Sequence, residues 1–511
     1  MTVSLNAARR TADLDALAGG APVDVLVVGL GVTGAGVALD AASRGLRVVA
    51  VDAHDLAFGT SRWSSKLVHG GLRYLAKGQV GVAHESAVER GVLMTRTAPH
   101  LTHAMPMVIP LTDAVGKPQA ALAMQGLRAG DLLRRMAHTP RGLLPGPRRL
   151  SVEQTIARVP GVSRAGLRGG LLSYDGQLED DARLVTALAR TAAAHGARVL
   201  TKVRATDLAG DSATLRDEVT GQTLTVRARA VVNATGVWAG GLVDGLTLTP
   251  SRGTHLVLRA DRMPGTDVAV SAPVPGSTNR FVFTLPQADG LVYLGLTDEA
   301  TDEIPDVPRP EEHEVDFLLD TINRVLARPL TRDDVVGSYA GLRPLLSAEG
   351  STSDLSRRHA VLTSTTGVVT IVGGKLTTYR RMAQDAVDQA VSAAGLGAGS
   401  SVTASLPLVG AAPRHELARI VAPTRLVRRY GTEAPAVVAA AVEATGLPEA
   451  DLLAPLSDRV PVTRAELVFG VTHEGALDTS DLLDRRTRIG LVPVDREACE
   501  DAASWALSVA G

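Results

Sequence analysis

The 511-residue sequence has one cysteine, Cys499, which rules out an intrachain disulfide and a cysteine-based metal cluster. Its charges nearly cancel, with 53 Lys and Arg against 54 Asp and Glu, so the strongly basic signature of a nucleic-acid-binding domain is missing. Long apolar runs are missing as well. The longest uncharged one, residues 25–39, holds four glycines and falls short of the about 20 residues that a membrane helix needs. Residues 1–21 carry Arg9, Arg10, Asp13 and Asp15 in place of the apolar core of a signal peptide, so export by that route is not expected. Membrane contact would then be peripheral, and a reducing cytosol suits the lone cysteine. What is present is ordinary globular composition, 45% apolar and 21% charged, in a chain long enough for two or three domains.

Residues 23–28 read as a buried strand, 34–43 as a helix and 47–52 as a second strand, which makes a βαβ unit. The first turn is Gly29-Leu30-Gly31-Val32-Thr33-Gly34. Gly29 permits a tight turn, Gly31 lets a pyrophosphate approach the backbone, and Gly34 lets helix and strand pack closely. Asp52, 18 residues past the last glycine, can accept from an adenosine ribose. A plain βα turn is the alternative, and NAD and FAD are not separated by this pattern.

A second glycine turn, Gly373-Gly374-Lys375-Leu376-Thr377-Thr378-Tyr379-Arg380, follows an apolar strand-like run and precedes a helix expected from Arg381. Unpaired N–H groups, a helix dipole and the Lys375 charge meet there, as an anionic or nucleotide ligand requires. Two such turns at opposite ends of one chain suggest one nucleotide gripped at both ends. Between them, Thr60, Ser61, Ser64, Ser65, Lys66, Leu67 and His69 form a hydroxyl- and glycine-rich loop suited to a pyrophosphate or a flavin edge. Arg73 and Tyr74 just beyond could hold an anionic substrate. The alternative for this segment is a solvated polar loop. A helix over 180–196, a strand over 198–203 and a strand over 224–233 running into Ala234-Thr235-Gly236 add a late strand end of the kind that abuts a nucleotide. Residues 254–258, 281–285 and 291–295 read as antiparallel strands holding much of the scarce aromatic content, 3% of the chain. A Gly, Ala, Ser and Pro-rich linker is expected over 395–413, with helices over 414–430, 434–445 and 464–474 beyond it.

With these motifs in this order, the chain resembles the FAD-dependent glycerol-3-phosphate dehydrogenases. Residues 28–45 match the family's first signature, with Leu30 in place of a third consecutive glycine. Residues 64–75 and 373–383 match two more, and a weaker likeness continues through Leu482-Leu483-Asp484-Arg485-Arg486-Thr487-Arg488.

The resemblance implies an α/β fold: a Rossmann-like FAD-binding domain, an inserted antiparallel-sheet substrate domain and a small C-terminal α-helical domain. The expected bounds are an N-terminal extension over 1–21 and cofactor-domain segments near 22–110, 151–250 and 335–395. Substrate-domain segments near 111–150 and 251–334, a linker over 396–413 and a helical domain over 414–511 complete the division. FAD would lie with its adenosine near Gly29, Gly31, Gly34 and Asp52. Its ring would reach the 64–69 loop and Gly374, Lys375, Leu376 and Thr377, with Val203, Ala234, Thr235 and Gly236 also against the cofactor. The substrate implied is sn-glycerol 3-phosphate, held by Arg73, Tyr74, Arg343, Arg358 and Lys375. Oxidation at C2 needs a base, and His255 is the candidate, with Arg343 or Lys375 steadying the alkoxide. No metal is expected. A quinone acceptor, a cytoplasmic protein docked on the inner face of the membrane and a homo-oligomer also follow from the resemblance. Rivals on the same scaffold are an oxidase, an oxidoreductase of another hydroxy or amino acid, and a flavin-binding protein without turnover. Arg128, Arg134, Arg135, Arg141, Arg148 and Arg149, spaced by Leu, Met and Pro, suit an anionic membrane surface. A solvated insertion or a subunit contact reads equally well.

Overall fold

The computed structural model describes residues 3–511 except 76–77, 264–266, 278–279 and 347–358, and only the backbone of Leu72 and Arg73. Strand Val23–Val28 is buried along its whole length, as a strand covered on both faces must be. It pairs in parallel with Val48–Val51 and with Thr223–Asn233. Arg198–Leu200 extends the sheet on one side, Val369–Gly373 on the other, and the antiparallel strand His359–Thr363 closes the latter edge. Helices Val32–Ser43, Asp181–Ala194 and Tyr379–Ala394 bury Ala- and Val-rich faces in one core against this sheet.

A second, mostly antiparallel sheet of ten strands carries Leu248–Arg259 against Val335–Leu346 and against Leu291–Gly295. Helix Glu312–Asn323 covers one of its faces. Sheet membership divides the chain differently from the expected segments. Leu67–Val68, Thr102–Pro110, Gly170–Leu178 and Val335–Leu346 all lie in this second sheet. Alternation marks a strand but carries no information on its partner, since pairing is set by packing across more than 60 residues of chain.

The C-terminal helices pack around their own core, with Phe469 and Leu467 fully buried. The helix expected over 414–430 is split into Arg414–Leu417 and Thr424–Tyr430 by Pro423, which has no N–H to donate within a helix. Residues 396–413 form neither helix nor strand, yet they are pinned to the first sheet's helices. Thr403 donates to Asp40 at 3.1 Å, and the Val409 N–H donates to Thr191 Oγ1 at 3.0 Å. Among the described residues, no helix is long and apolar enough to cross a membrane.

Candidate active site

A cleft of about 590 Å³ runs between the two sheets. At one end, strand Val23–Val28 stops at Gly29, whose φ of 100° leads into helix Val32–Ser43. A Cβ on Gly29 would lie 2.7 Å from the Ala234 carbonyl oxygen, and one on Gly34 would lie 1.8 Å from the Gly29 oxygen. These glycines are therefore required by close backbone approach. Gly34 serves packing and does not border the cleft, whereas Gly29 and Gly31 do. Gly31 has no side chain with which to cap the helix, and the Val32 N–H donates to Ser61 Oγ at 2.8 Å.

Asp52 faces the same end. Its carboxylate accepts from the Leu30 N–H at 2.7 Å and the His54 N–H at 2.9 Å. Burial pushes its carboxyl up to about 6, against the pull of those two donors.

The loop over residues 60–69 forms one wall. Thr60, Ser61, Ser64, Ser65, Leu67 and His69 all line the cleft. Lys66 does not. With φ at 58°, its side chain turns into the protein, where Nζ donates to Asp181 Oδ2 at 2.9 Å and to the Arg62 and Ser64 carbonyls at 2.9 and 3.1 Å. Burial, with Arg488 nearby, brings its ammonium down to about 8. Val203 likewise sits in the core beneath the first sheet, while its neighbours Arg204 and Ala205 reach the cleft. His69 is 47% exposed, and its Nδ1 lies 2.9 Å from Asp175, which also accepts from Arg90 at 2.6 Å.

The second sheet supplies the facing wall. Ser251, Gly253 and His255 pair with Arg343, Gly341 and Tyr339 and share one face by the two-residue period of a strand. The central glycines leave room. A Cβ on Gly253 would strike the Arg343 guanidinium at 2.2 Å, and one on Gly341 would strike Trp63 Cβ at 2.8 Å. Arg343 donates to Ser251 Oγ at 3.2 Å, Asp298 Oδ1 at 3.1 Å and the Thr297 carbonyl at 3.3 Å. The His255 ring stacks on Tyr339 with centroids 4.7 Å apart, and its Nε2 lies 2.8 Å from Ser65 Oγ. Gly295 makes this possible, because a Cβ there would come within 2.2 Å of the imidazole. Burial, then Lys66 and Arg343, hold the imidazole pKa well below its ordinary value, so it is neutral at pH 7.

The second glycine turn also borders the cleft. Gly373 and Gly374 have φ of 78° and 68°. A 3-10 turn over Leu376–Thr378 follows and runs into helix Tyr379–Ala394, so the helix begins two residues earlier than expected. Gly374, Lys375, Leu376 and Thr377 line the cleft. Lys375 Nζ sits 4.6 Å from the centre of the Tyr74 ring, which itself is not part of the lining. The Arg73 side chain and Arg358 lie outside the described residues.

Ala234, Thr235 and Gly236 meet the cleft between the two glycine turns. Trp63, Trp238, Leu296 and Asp306 also line it and were not singled out in sequence. An isolated aromatic or acid in a loop carries no periodic signal, although Trp63 stands within the expected hydroxyl-rich loop. The residues present fit an extended dinucleotide. Glycine turns at Gly29 and at Gly373–Gly374 both border the cleft, the Asp52 carboxylate lines it, and its one continuous space joins them.

The profile of the FAD dependent oxidoreductases matches residues 24–380, and that of the C-terminal domain of alpha-glycerophosphate oxidase matches residues 364–509. A glycerol-3-phosphate dehydrogenase 1 of Mycobacterium tuberculosis is 54% identical, with 99% of each chain covered. A mitochondrial glycerol-3-phosphate dehydrogenase of Arabidopsis thaliana is 36% identical over 93% of this chain and 81% of its own. The crystal structure of a Bacillus halodurans glycerol-3-phosphate dehydrogenase complexed with FAD superimposes with a TM-score of 0.76 at 27% identity, covering 98% of this chain and 93% of that one. The chain therefore belongs to the FAD-dependent oxidoreductases, within their glycerol-3-phosphate dehydrogenase family.

Proposed function

We propose that the protein oxidises sn-glycerol 3-phosphate to dihydroxyacetone phosphate and delivers the electrons to a quinone. The observation that carries this reading is the glycine-floored wall, which holds a neutral buried imidazole and a guanidinium on one face of the cleft. When bound, FAD supplies the hydride acceptor. His255 is the base for the C2 hydroxyl proton, because its imidazole lines the cleft and is held in place by Ser65 and Tyr339. Arg343 and Lys375 place positive charge where the phosphate and the developing alkoxide need it. In this reading Gly29, Gly31 and Asp52 hold the adenosine end. The 64–69 loop and the 374–377 turn flank the reacting end. Residues 22–395 carry the cofactor and substrate parts, and residues 414–511 form a helical domain.

The deciding experiment is anaerobic addition of sn-glycerol 3-phosphate to purified holoprotein. Loss of the visible oxidised-flavin absorbance is the expected result, and an unbleached flavin would sink the assignment. Turnover with a quinone analogue and little peroxide is expected, whereas stoichiometric peroxide would identify an oxidase.

FAD affinity should depend on pH through Asp52. Its carboxyl is raised to about 6 without cofactor, and ribose hydroxyls favour the ionised, accepting form. Affinity is then full above pH 6 and weakens as pH falls through it, by at most about tenfold per pH unit. Titration of apoprotein with FAD between pH 5 and 7.5 measures this. Asp52→Asn should bind more weakly at pH 7.5, with the slope flattened.

Access to a quinone is supported by helix Lys117–Met136, which exposes Leu122 (59%), Leu132 (57%) and Met136 (50%) beside exposed Arg128 and Arg135. Arg134 is instead buried and donates to Asp131 at 2.7 Å. This face would dock peripherally on anionic lipid. The double variant Arg128→Glu with Arg135→Glu should lose about 2 kcal/mol of binding to phosphatidylglycerol vesicles, from roughly 1 kcal/mol per basic residue. Equal co-sedimentation of variant and wild type would overturn this docking face.

A further inference from the structure

We propose that Arg488, in the C-terminal helical region, is a positioning residue for the active site, acting through Asp181 on the 64–66 loop and so on His255. The proposal rests on the reading of the cleft given above, and part of its test needs no substrate.

Arg488 is 4% exposed and has a φ of 69°, in the left-handed region that a non-glycine residue avoids. That backbone aims the side chain away from its own helices toward the first residues of helix Asp181–Ala194. Nη1 donates to Asp181 Oδ1 at 2.6 Å and to Asp180 Oδ1 at 3.3 Å. The other oxygen of Asp181 accepts from the Ser64 N–H and from Lys66 Nζ, each at 2.9 Å. One fully buried carboxylate thus joins the C-terminal region to both ends of a three-residue loop. Its middle residue, Ser65, sends its hydroxyl to His255 Nε2 at 2.8 Å.

The loop needs this support. Lys66 also adopts a positive φ, 58°, and its ammonium is buried against the Tyr339 ring at 5.0 Å. Tyr339 in turn stacks on His255 and donates to the Ser64 carbonyl at 3.0 Å. A buried carboxylate facing Lys66 alone would be a simple pair. With Arg488 added, its two oxygens are directed to two different elements, which fixes its orientation and hence that of the Ser64 N–H. The Arg488 guanidinium also lies 5.8 Å from the centre of the Trp63 ring, another cleft-lining side chain of the same loop. Sequence distance hides the linkage, because 307 residues separate Arg488 from Asp181. Within the Leu482–Arg488 stretch, Arg485 and Arg486 are committed elsewhere, to Asp55.

The test compares Arg488→Ala, Arg488→Met and Arg488→Lys as full-length holoproteins. Lysine can return the charge to Asp181, and methionine keeps much of the volume without it. The first readouts are FAD content, the visible flavin spectrum and the flavin midpoint potential by dye equilibration during photoreduction. None of these requires a substrate. The second is the single-turnover rate of flavin reduction at saturating sn-glycerol 3-phosphate. Alanine and methionine variants that retain FAD should show shifted flavin bands and potential. They should also reduce about a hundredfold more slowly, the size that a misplacement of about 1 Å produces, with KM changed much less than kcat. The lysine variant should recover most of both signals.

Wild-type spectrum, potential and rate in the methionine variant would overturn the proposal. So would a lysine variant no better than alanine, or loss of fold and FAD in all three variants, which would make Arg488 merely structural. If wild type itself is not reduced by sn-glycerol 3-phosphate while the spectrum and potential still follow the residue at 488, the positioning role stands and the substrate assignment fails.

Discussion

Asp55→Asn is expected to destabilise the folded protein by about 3–5 kcal/mol, the range for leaving buried charges without their partner. Asp55 is 1% exposed and accepts from Arg485 Nε at 2.5 Å and from both terminal nitrogens of Arg486 at 2.8 Å. It stands just past strand Val48–Val51, and the two arginines come from the turn Asp481–Arg486. The carboxylate is therefore an electrostatic bolt between the cofactor-side sheet and the C-terminal helices. Burial opposes its charge, but the two guanidiniums outweigh burial and hold its carboxyl below the ordinary value. A depressed carboxyl contributes stability above its unfolded pKa, about 3.8, and loses it only as pH falls through the lower folded value. At pH 7 the full contribution is present, so the comparison belongs there. Nearby Asp481 behaves oppositely. Burial and Asp55 raise its carboxyl to about 6, so it favours folding less as pH rises through that value. Urea denaturation followed by circular dichroism should show a lower midpoint for the variant. An unchanged midpoint would mean that Arg485 and Arg486 find other partners at little cost.

Lys375→Ala should slow flavin reduction by sn-glycerol 3-phosphate by about 10²–10³-fold, the loss typical of removing one preorganised donor from a developing charge. FAD occupancy should stay near wild type. Lys375 stands immediately before the 3-10 turn Leu376–Thr378, after two left-handed glycines. Its ammonium rests over the Tyr74 ring, a contact that fixes its direction. In the proposed reading, the cofactor is also gripped through Gly29, Gly31 and Asp52, which line the cleft apart from Lys375. Absorbance of released FAD per protein and stopped-flow reduction separate the two effects. Activity and FAD lost in equal measure would make Lys375 a cofactor-retention residue instead. Lys375→Arg, which keeps the charge on a different shape, should fall between wild type and alanine.

The local turns were legible because their chemistry is local. Gly34 is required by the Gly29 oxygen within the same motif and Gly29 by its left-handed φ, although the Ala234 carbonyl that also crowds Gly29 is distant in sequence, and the βαβ periodicity marks where the motif sits. The turn at Gly373 and Gly374 was legible for the same reason, apart from the two-residue offset of its helix. Lys66 shows where such reasoning stops. A lysine among serines and glycines suggests an anion, but its positive φ and Asp181, 115 residues away, direct the ammonium inward. His255 was picked from the family resemblance and its titration range. Its neutral state comes from burial, and its orientation from Ser65, Tyr339 and the space left by Gly295, none of which is near it in sequence.

By itself, the sequence determined the type of ligand this chain holds. Glycine spacing and strand–turn–helix order are short-range properties, and they dictate where backbone N–H groups and side-chain-free surfaces appear. Tertiary structure alone decided which sheet each strand joined, which charges face the cleft and which are spent inside. Those outcomes depend on burial and on pairs hundreds of residues apart. Lys66, expected to face the cofactor, and Arg488 differ from Lys375 because the fold encloses the first two around Asp181 and leaves the third at the cleft.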